Sequence, residues 1–195
     1  MSMARWATVI AILVALIADG SIRHPVPSGP TYVVVAPLLS VGGGPTMACN
    51  GILLSLPPAG CGGVRLYGVD ISQVPGVHRY WNGTIETPSM RLIGVWSGMA
   101  LTLTQAPRAA NPRPASDTVC AATSPAAEPQ ILRREHQIVN DWKAMEQHGV
   151  LLLSIGPCGE ALNLLLAVAD WQTVNYLTTT YGPVEVSGWL TRVVP

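Results

Sequence analysis

Three side chains in the first half of the chain are of the types that hydrolytic chemistry uses. Ser97 would be a nucleophile, His78 its general base and Asp70 the group that orients the imidazole. Ser97 stands in Gly94-Val95-Trp96-Ser97-Gly98, which departs from G-x-S-x-G because the leading glycine is one residue too far away. Ser-Gly between two apolar runs is also a turn signal, favoured for backbone reasons. Asp70 and His78 lie eight residues apart in a loop-rich region. The glycines form no phosphate-binding or dinucleotide fingerprint.

A second group has the character of a binding surface. Arg65, Tyr67, Arg79, Tyr80, Trp81, Arg91 and Trp96 interleave cations with aromatic rings. On one sheet face they would suit a glycan, an anionic polymer or a protein partner. The plainer alternative puts Tyr67 and Trp96 in the core and leaves the arginines to solubilise the surface. No metal and no cofactor is expected. His136 and His148 are twelve residues apart in one helical pattern, about 18 Å of helix rise, too far to share an ion. Glu135, Asp141 and Glu146 read as a solvated helix face, and no C-x-x-C spacing occurs.

The surroundings of these residues limit the class of protein. In 195 residues, 11 % are charged and the formal net charge is zero. That balance argues against a dedicated polyanion binder, and with export it disfavours nucleic acid. The charges are unevenly placed: between residues 21 and 108 five arginines face two carboxylates, and from residue 109 five cations face eight. Residues 1–20 read as a signal peptide or an uncleaved anchor. Trp6 to Ala18 carries no charge, and this run is short against the roughly 20 residues that span a bilayer. Ala18-Asp19-Gly20 offers small residues for cleavage after Gly20. The chain is therefore expected to be secreted or extracytoplasmic, touching a membrane only through an uncleaved leader.

The elements that must position the candidates fall into two regions. Residues 31–104 contain five or six short β-branched runs separated by Gly- and Pro-rich turns, which predict a small β-barrel, OB-like or sandwich. Met90 to Trp96 and Met99 to Thr104 predict a hairpin turning at Ser97-Gly98. Residues 105–117, rich in Pro and Ala, read as a linker.

In residues 118–195 the period changes. Thr118 to Ala122 is a strand candidate. Pro129 to His148 places Ile131, Leu132, Ile138, Val139, Trp142 and Met145 on one helical stripe. Asp170 caps a second helix that stops at Gly182-Pro183. With apolar runs at 150–155, 161–169 and 184–194, the order is β-α-β-β-α-β, a ferredoxin-like α+β arrangement.

Four cysteines in an exported chain predict disulfides, and four allow three pairings. A right-handed β-α-β crossover brings the end of the 118–122 strand to the same sheet edge as the next hairpin tip. Cys120 is near the first and Cys158 is in the second, so Cys120 pairs with Cys158 and Cys49 with Cys61.

Several of these residues together resemble a family of exported actinobacterial proteins, often membrane- or lipid-anchored. The resemblance is carried by Cys49, by Pro57-Pro58-Ala59-Gly60-Cys61-Gly62-Gly63, and by Gly68-Val69-Asp70-Ile71. It continues in Gly94-Val95-Trp96-Ser97-Gly98, the alternation Leu101-Thr102-Leu103-Thr104, and Tyr181-Gly182-Pro183 before a valine-rich strand. Two tryptophans of the family's Gly-Trp-Asp-Trp stretch are replaced here by Val69 and Ile71. The resemblance implies architecture and export, and carries no activity. The function expected from the residues is that of a non-enzymatic cell-envelope or secreted binding or structural protein, with an envelope protein or glycan as partner. The alternative is a cell-envelope hydrolase using Ser97 or the Asp70/His78 pair.

Overall fold

The computed structural model of the protein describes residues 28–53, 55–111, 120, 124 and 127–194. These residues form a mixed α+β fold, mostly sheet, with two α-helices. The expected leader at 1–20 and most of the expected 118–122 strand lie outside the described residues.

The front half is built on one long extended run. β1 (Thr31–Ala36) and β2 (Leu38–Ser40) are separated only by Pro37. β1 alternates half-buried and buried residues, as a strand with one face on a core must. Proline has no N–H for a ladder, so the run can change partners there. β1 pairs antiparallel with β7 (Met90–Trp96), whereas β2 pairs with β3 (Met47–Ile52) and β6 (Ile85–Glu86). The Pro37 carbonyl still accepts from Cys49 N at 2.9 Å.

β4 (Cys61–Tyr67) pairs antiparallel with β3 and parallel with β8 (Ala100–Leu103), which closes a hairpin with β7. β5 (His78–Arg79) pairs with β6, and β9 (Arg108–Ala109) with β7. β9 lies within the stretch read as a linker.

The hydrogen-bonded path through this sheet begins at β13 (Thr191–Arg192) and ends at β5. Among the described residues no closed barrel is found, so the barrel expectation is not confirmed. The reason is visible at Pro37: β1 and β2 occupy different places in the path, yet they are joined covalently and not by a ladder. Tyr32, Val34, Leu38, Val64, Leu66, Met90, Leu92 and Leu101 still converge in one core.

The rear half holds α1 (Glu128–Gln147), β10 (Leu152–Cys158), β11 (Ala161–Leu166), α2 (Trp171–Tyr181) and β12 (Val184–Gly188). Asp170 caps α2 by accepting from Thr173 N at 2.8 Å, and Gly182 ends it with φ 80°. The three-stranded sheet runs β10-β11-β12, with β11 and β12 directly paired and parallel. A ferredoxin-like sheet would place another strand between those two. Their direct pairing leaves no place for it, so the ferredoxin-like expectation is not met.

Ile131, Ile138 and Met145 of α1 pack with Leu162, Leu164, Leu166, Leu177 and Tyr181. Leu132, Val139 and Trp142, expected on the same stripe, are 46–47 % exposed. At about 100° per residue they are turned onto the flank of the helix.

The halves are joined by more than sequence. Ala167 and Leu190 are part of the front core, with Leu151, Leu153 and Trp189 packed against it. β13 crosses over to pair with β1, Tyr32 opposite Arg192. Both expected disulfides are present, Cys49–Cys61 and Cys120–Cys158. The first ties β3 to β4, and the second fixes Cys120 to the end of β10.

Candidate functional site

Each of the three hydrolytic candidates has local partners of its own. Ser97 sits in the β7–β8 turn, where both its hydroxyl and its N–H donate to the Ala100 carbonyl, at 3.1 and 3.0 Å. Asp70 accepts from Ser72 N at 2.9 Å and caps the short 3-10 helix Ile71–Gln73. Hydrogen bonds from Ser72, with a smaller contribution from the Arg79 charge, hold the Asp70 carboxyl below its ordinary range. His78 meets the ring of Tyr80 edge-on, with centroids 4.4 Å apart. Each of the three is thus engaged with its own local neighbours.

The binding candidates fall into three places. Val95, Thr102 and Tyr67 are register neighbours across β7, β8 and β4. Arg65, two residues from Tyr67, and Arg91, four from Val95, therefore share that face with Tyr67. Trp96 is aligned with Leu101 on the other face, packed against the core. Arg79, Tyr80 and Trp81 are at the β5–β6 end of the sheet.

That end brings polar and aromatic side chains together around a cleft. β5 and β6 pair His78 with Glu86 and Arg79 with Ile85. The connection between them contains Asn82-Gly83, a tight-turn dipeptide. Tyr80 N donates to the Thr84 carbonyl at 2.9 Å, Gly83 N donates to the Tyr80 carbonyl at 3.1 Å, and Asn82 Oδ1 accepts from Thr84 N at 3.1 Å. Gly83 has φ 81°, a conformation glycine adopts without a Cβ penalty.

Side chains two apart in a strand lie on one face, so His78, Tyr80 and, across the ladder, Glu86 come together. The Tyr80 hydroxyl donates to Glu86 Oε2 at 2.7 Å. This bond to a carboxylate, aided by desolvation and by the negative charge itself, raises the Tyr80 phenol above its ordinary value. It therefore remains a neutral donor. Arg79 is turned away, donating through Nη2 to the Ser72 carbonyl at 3.2 Å.

Gly76, His78, Tyr80, Glu86, Thr87 and Pro88 line an open cleft of about 430 Å³. Trp81, at the head of the turn, is 89 % exposed. The arrangement offers a carboxylate acceptor, an imidazole and a phenol ring around a shallow concavity, with the exposed Trp81 next in the chain. Among the described residues no three His, Cys, Asp or Glu side chains are placed to hold a metal ion.

Sequence reasoning identified His78, Tyr80 and Trp81 but missed Glu86, which completes the cleft. Its signal was the Asn82-Gly83 turn, which folds Glu86 back across His78. Comparison of the chain with protein-family models, with curated proteins and with solved structures returns no match. Among the described residues no helix is long and apolar enough to cross a membrane. Disulfides are a feature of oxidising compartments, which fits an extracellular environment.

Proposed function

We propose that this is an exported, non-enzymatic binding protein that takes a polyhydroxylated ligand, a glycan, at the β5–β6 end of its front sheet. The observation that carries the reading is the exposure of Trp81, almost wholly in solvent and next in the chain to Tyr80 of the Tyr80–Glu86–His78 cleft. An indole held out of the core exposes a large apolar face with no folding gain, whereas a ligand's apolar C–H face would cover it.

Glu86 gives one oxygen to Tyr80, and Oε1 is left to accept from a hydroxyl. His78 can donate or accept. Convergent polar groups beside an aromatic surface are what orient a small ligand in a cleft. Ser97 and Asp70 spend their polar atoms on backbone groups, which favours binding over hydrolysis. The two disulfides support the extracytoplasmic setting, where envelope glycans are available.

Affinity electrophoresis through gels containing soluble neutral polysaccharides tests the proposal. The wild-type protein is expected to be retarded by at least one polysaccharide, and W81A and E86Q to migrate freely. Equal retardation of W81A and wild type would remove the site from consideration, and no retardation of the wild type would contradict the ligand class.

A further inference from the structure

The helix-covered side of the three-stranded sheet has a gap. α1 has 20 residues and α2 has 11, so their lengths are about 30 and 17 Å. They run antiparallel, with His148 beside Tyr176 and Asp141 bonded to Tyr181. α2 therefore ends opposite the middle of α1. Past that end a cavity of about 380 Å³ opens, lined by Gln130, Ile131 and Arg134 of α1, by Glu160 in the β10–β11 turn, and by Pro183 and Glu185 beside β12.

The charges around this cavity are unmatched. Nη1 of Arg134 is enclosed and has no hydrogen-bond partner among the described residues. Among the described residues, Glu160 and Glu185, on the same cavity, find no hydrogen-bond or ion-pair partner. A buried guanidinium nitrogen without an acceptor is destabilising, and none of the described residues supplies one. A simple anion would satisfy Arg134 but face two carboxylates. A simple amine would satisfy the carboxylates but face the guanidinium.

We propose that this cavity binds a small zwitterion, an α-amino acid or a dipeptide. Its carboxylate would lie on Arg134, since two coplanar oxygens match the guanidinium fork. Its ammonium would lie between Glu160 and Glu185. The volume is within the range of small-ligand sites. This site is on the opposite half of the molecule from β5–β6 and is independent of the glycan reading.

Titration calorimetry on the full, oxidised chain tests it, with L-alanyl-L-alanine as the probe and its N-acetyl and C-amide derivatives as controls. The dipeptide binds, and blocking either end weakens binding at least about tenfold, as the loss of one charge-assisted contact does. R134Q weakens it similarly. E160Q, at an exposed turn where folding is undisturbed, also weakens it. Absence of binding at millimolar dipeptide would overturn the proposal. So would blocked forms that bind as well as the dipeptide, or an E160Q variant with wild-type affinity.

Discussion

The hydroxyl of Tyr181, the last residue of α2, donates to Asp141 Oδ2 in the middle of α1 at 3.2 Å, across forty residues of sequence. Tyr181 is 4 % exposed. Burial first, then the neighbouring Tyr176 and Asp141, push its phenol well above the ordinary range. The folded state therefore keeps this proton longer than the unfolded chain, whose tyrosines titrate near pH 10. The contribution is complete below about pH 10 and declines above it by about 1.4 kcal/mol per pH unit. Y181F is expected to lose about 1 kcal/mol at pH 8 and to lack that part of the alkaline decline. Urea unfolding of both proteins at pH 8 and above pH 10 gives the comparison.

Thr84 is fully buried, and its hydroxyl has no hydrogen-bond partner. Valine has the same shape without the orphan polar atom. T84V is expected to raise stability by about 1 kcal/mol, because the desolvation cost disappears while packing is kept. A denaturation midpoint equal to or below that of the wild type would show that the hydroxyl is satisfied in solution.

Gly63 in β4 lies so close to β3 that a Cβ would run into the carbonyl of Ala48. The obstacle is backbone and cannot swing aside. G63A is expected to cost about 2–3 kcal/mol through forced separation of the strands. Gly62, whose Cβ would meet only a distant carbonyl, serves as the control, and G62A should unfold near the wild-type midpoint.

The two disulfides close loops with sequence separations of 12 and 38. On the chain-entropy model they contribute about 3 and about 4 kcal/mol. C49A/C61A and C120A/C158A should lose stability in that order, measured by urea unfolding in oxidising buffer. A larger loss from the shorter loop would show that the bridges act through the native state.

Much of this architecture was legible because it is local. Asp170 and Gly182 mark the ends of α2 by chemistry that a reader of the sequence can apply. Cys49–Cys61 and Cys120–Cys158 were paired correctly. What was not legible is non-local. Nothing beside Pro37 announces that the strand before it and the strand after it will take different neighbours, so closure of the sheet is not readable from the sequence. The direct β11–β12 pairing is decided by packing across the whole unit, and local pattern does not encode it. The same holds for β13, which leaves its own half to pair with β1. Leu132, Val139 and Trp142 were assigned to the core because helical spacing sees a face only to within about one residue. In the candidate site, Trp81 and Tyr80 were legible from type and Glu86 was not, since its role depends on a turn bringing it back beside His78.

The central claim is that the β5–β6 end of the front sheet is the ligand surface. The most direct test is ¹H–¹⁵N NMR of the oxidised protein, titrated with oligosaccharides prepared from a polysaccharide that retards it in the gel. The account predicts shifts confined to the amides of residues 76–88 and to the Trp81 indole N–H. Shifts centred instead on Arg65, Tyr67 and Arg91, or on the rear half of the molecule, would contradict it.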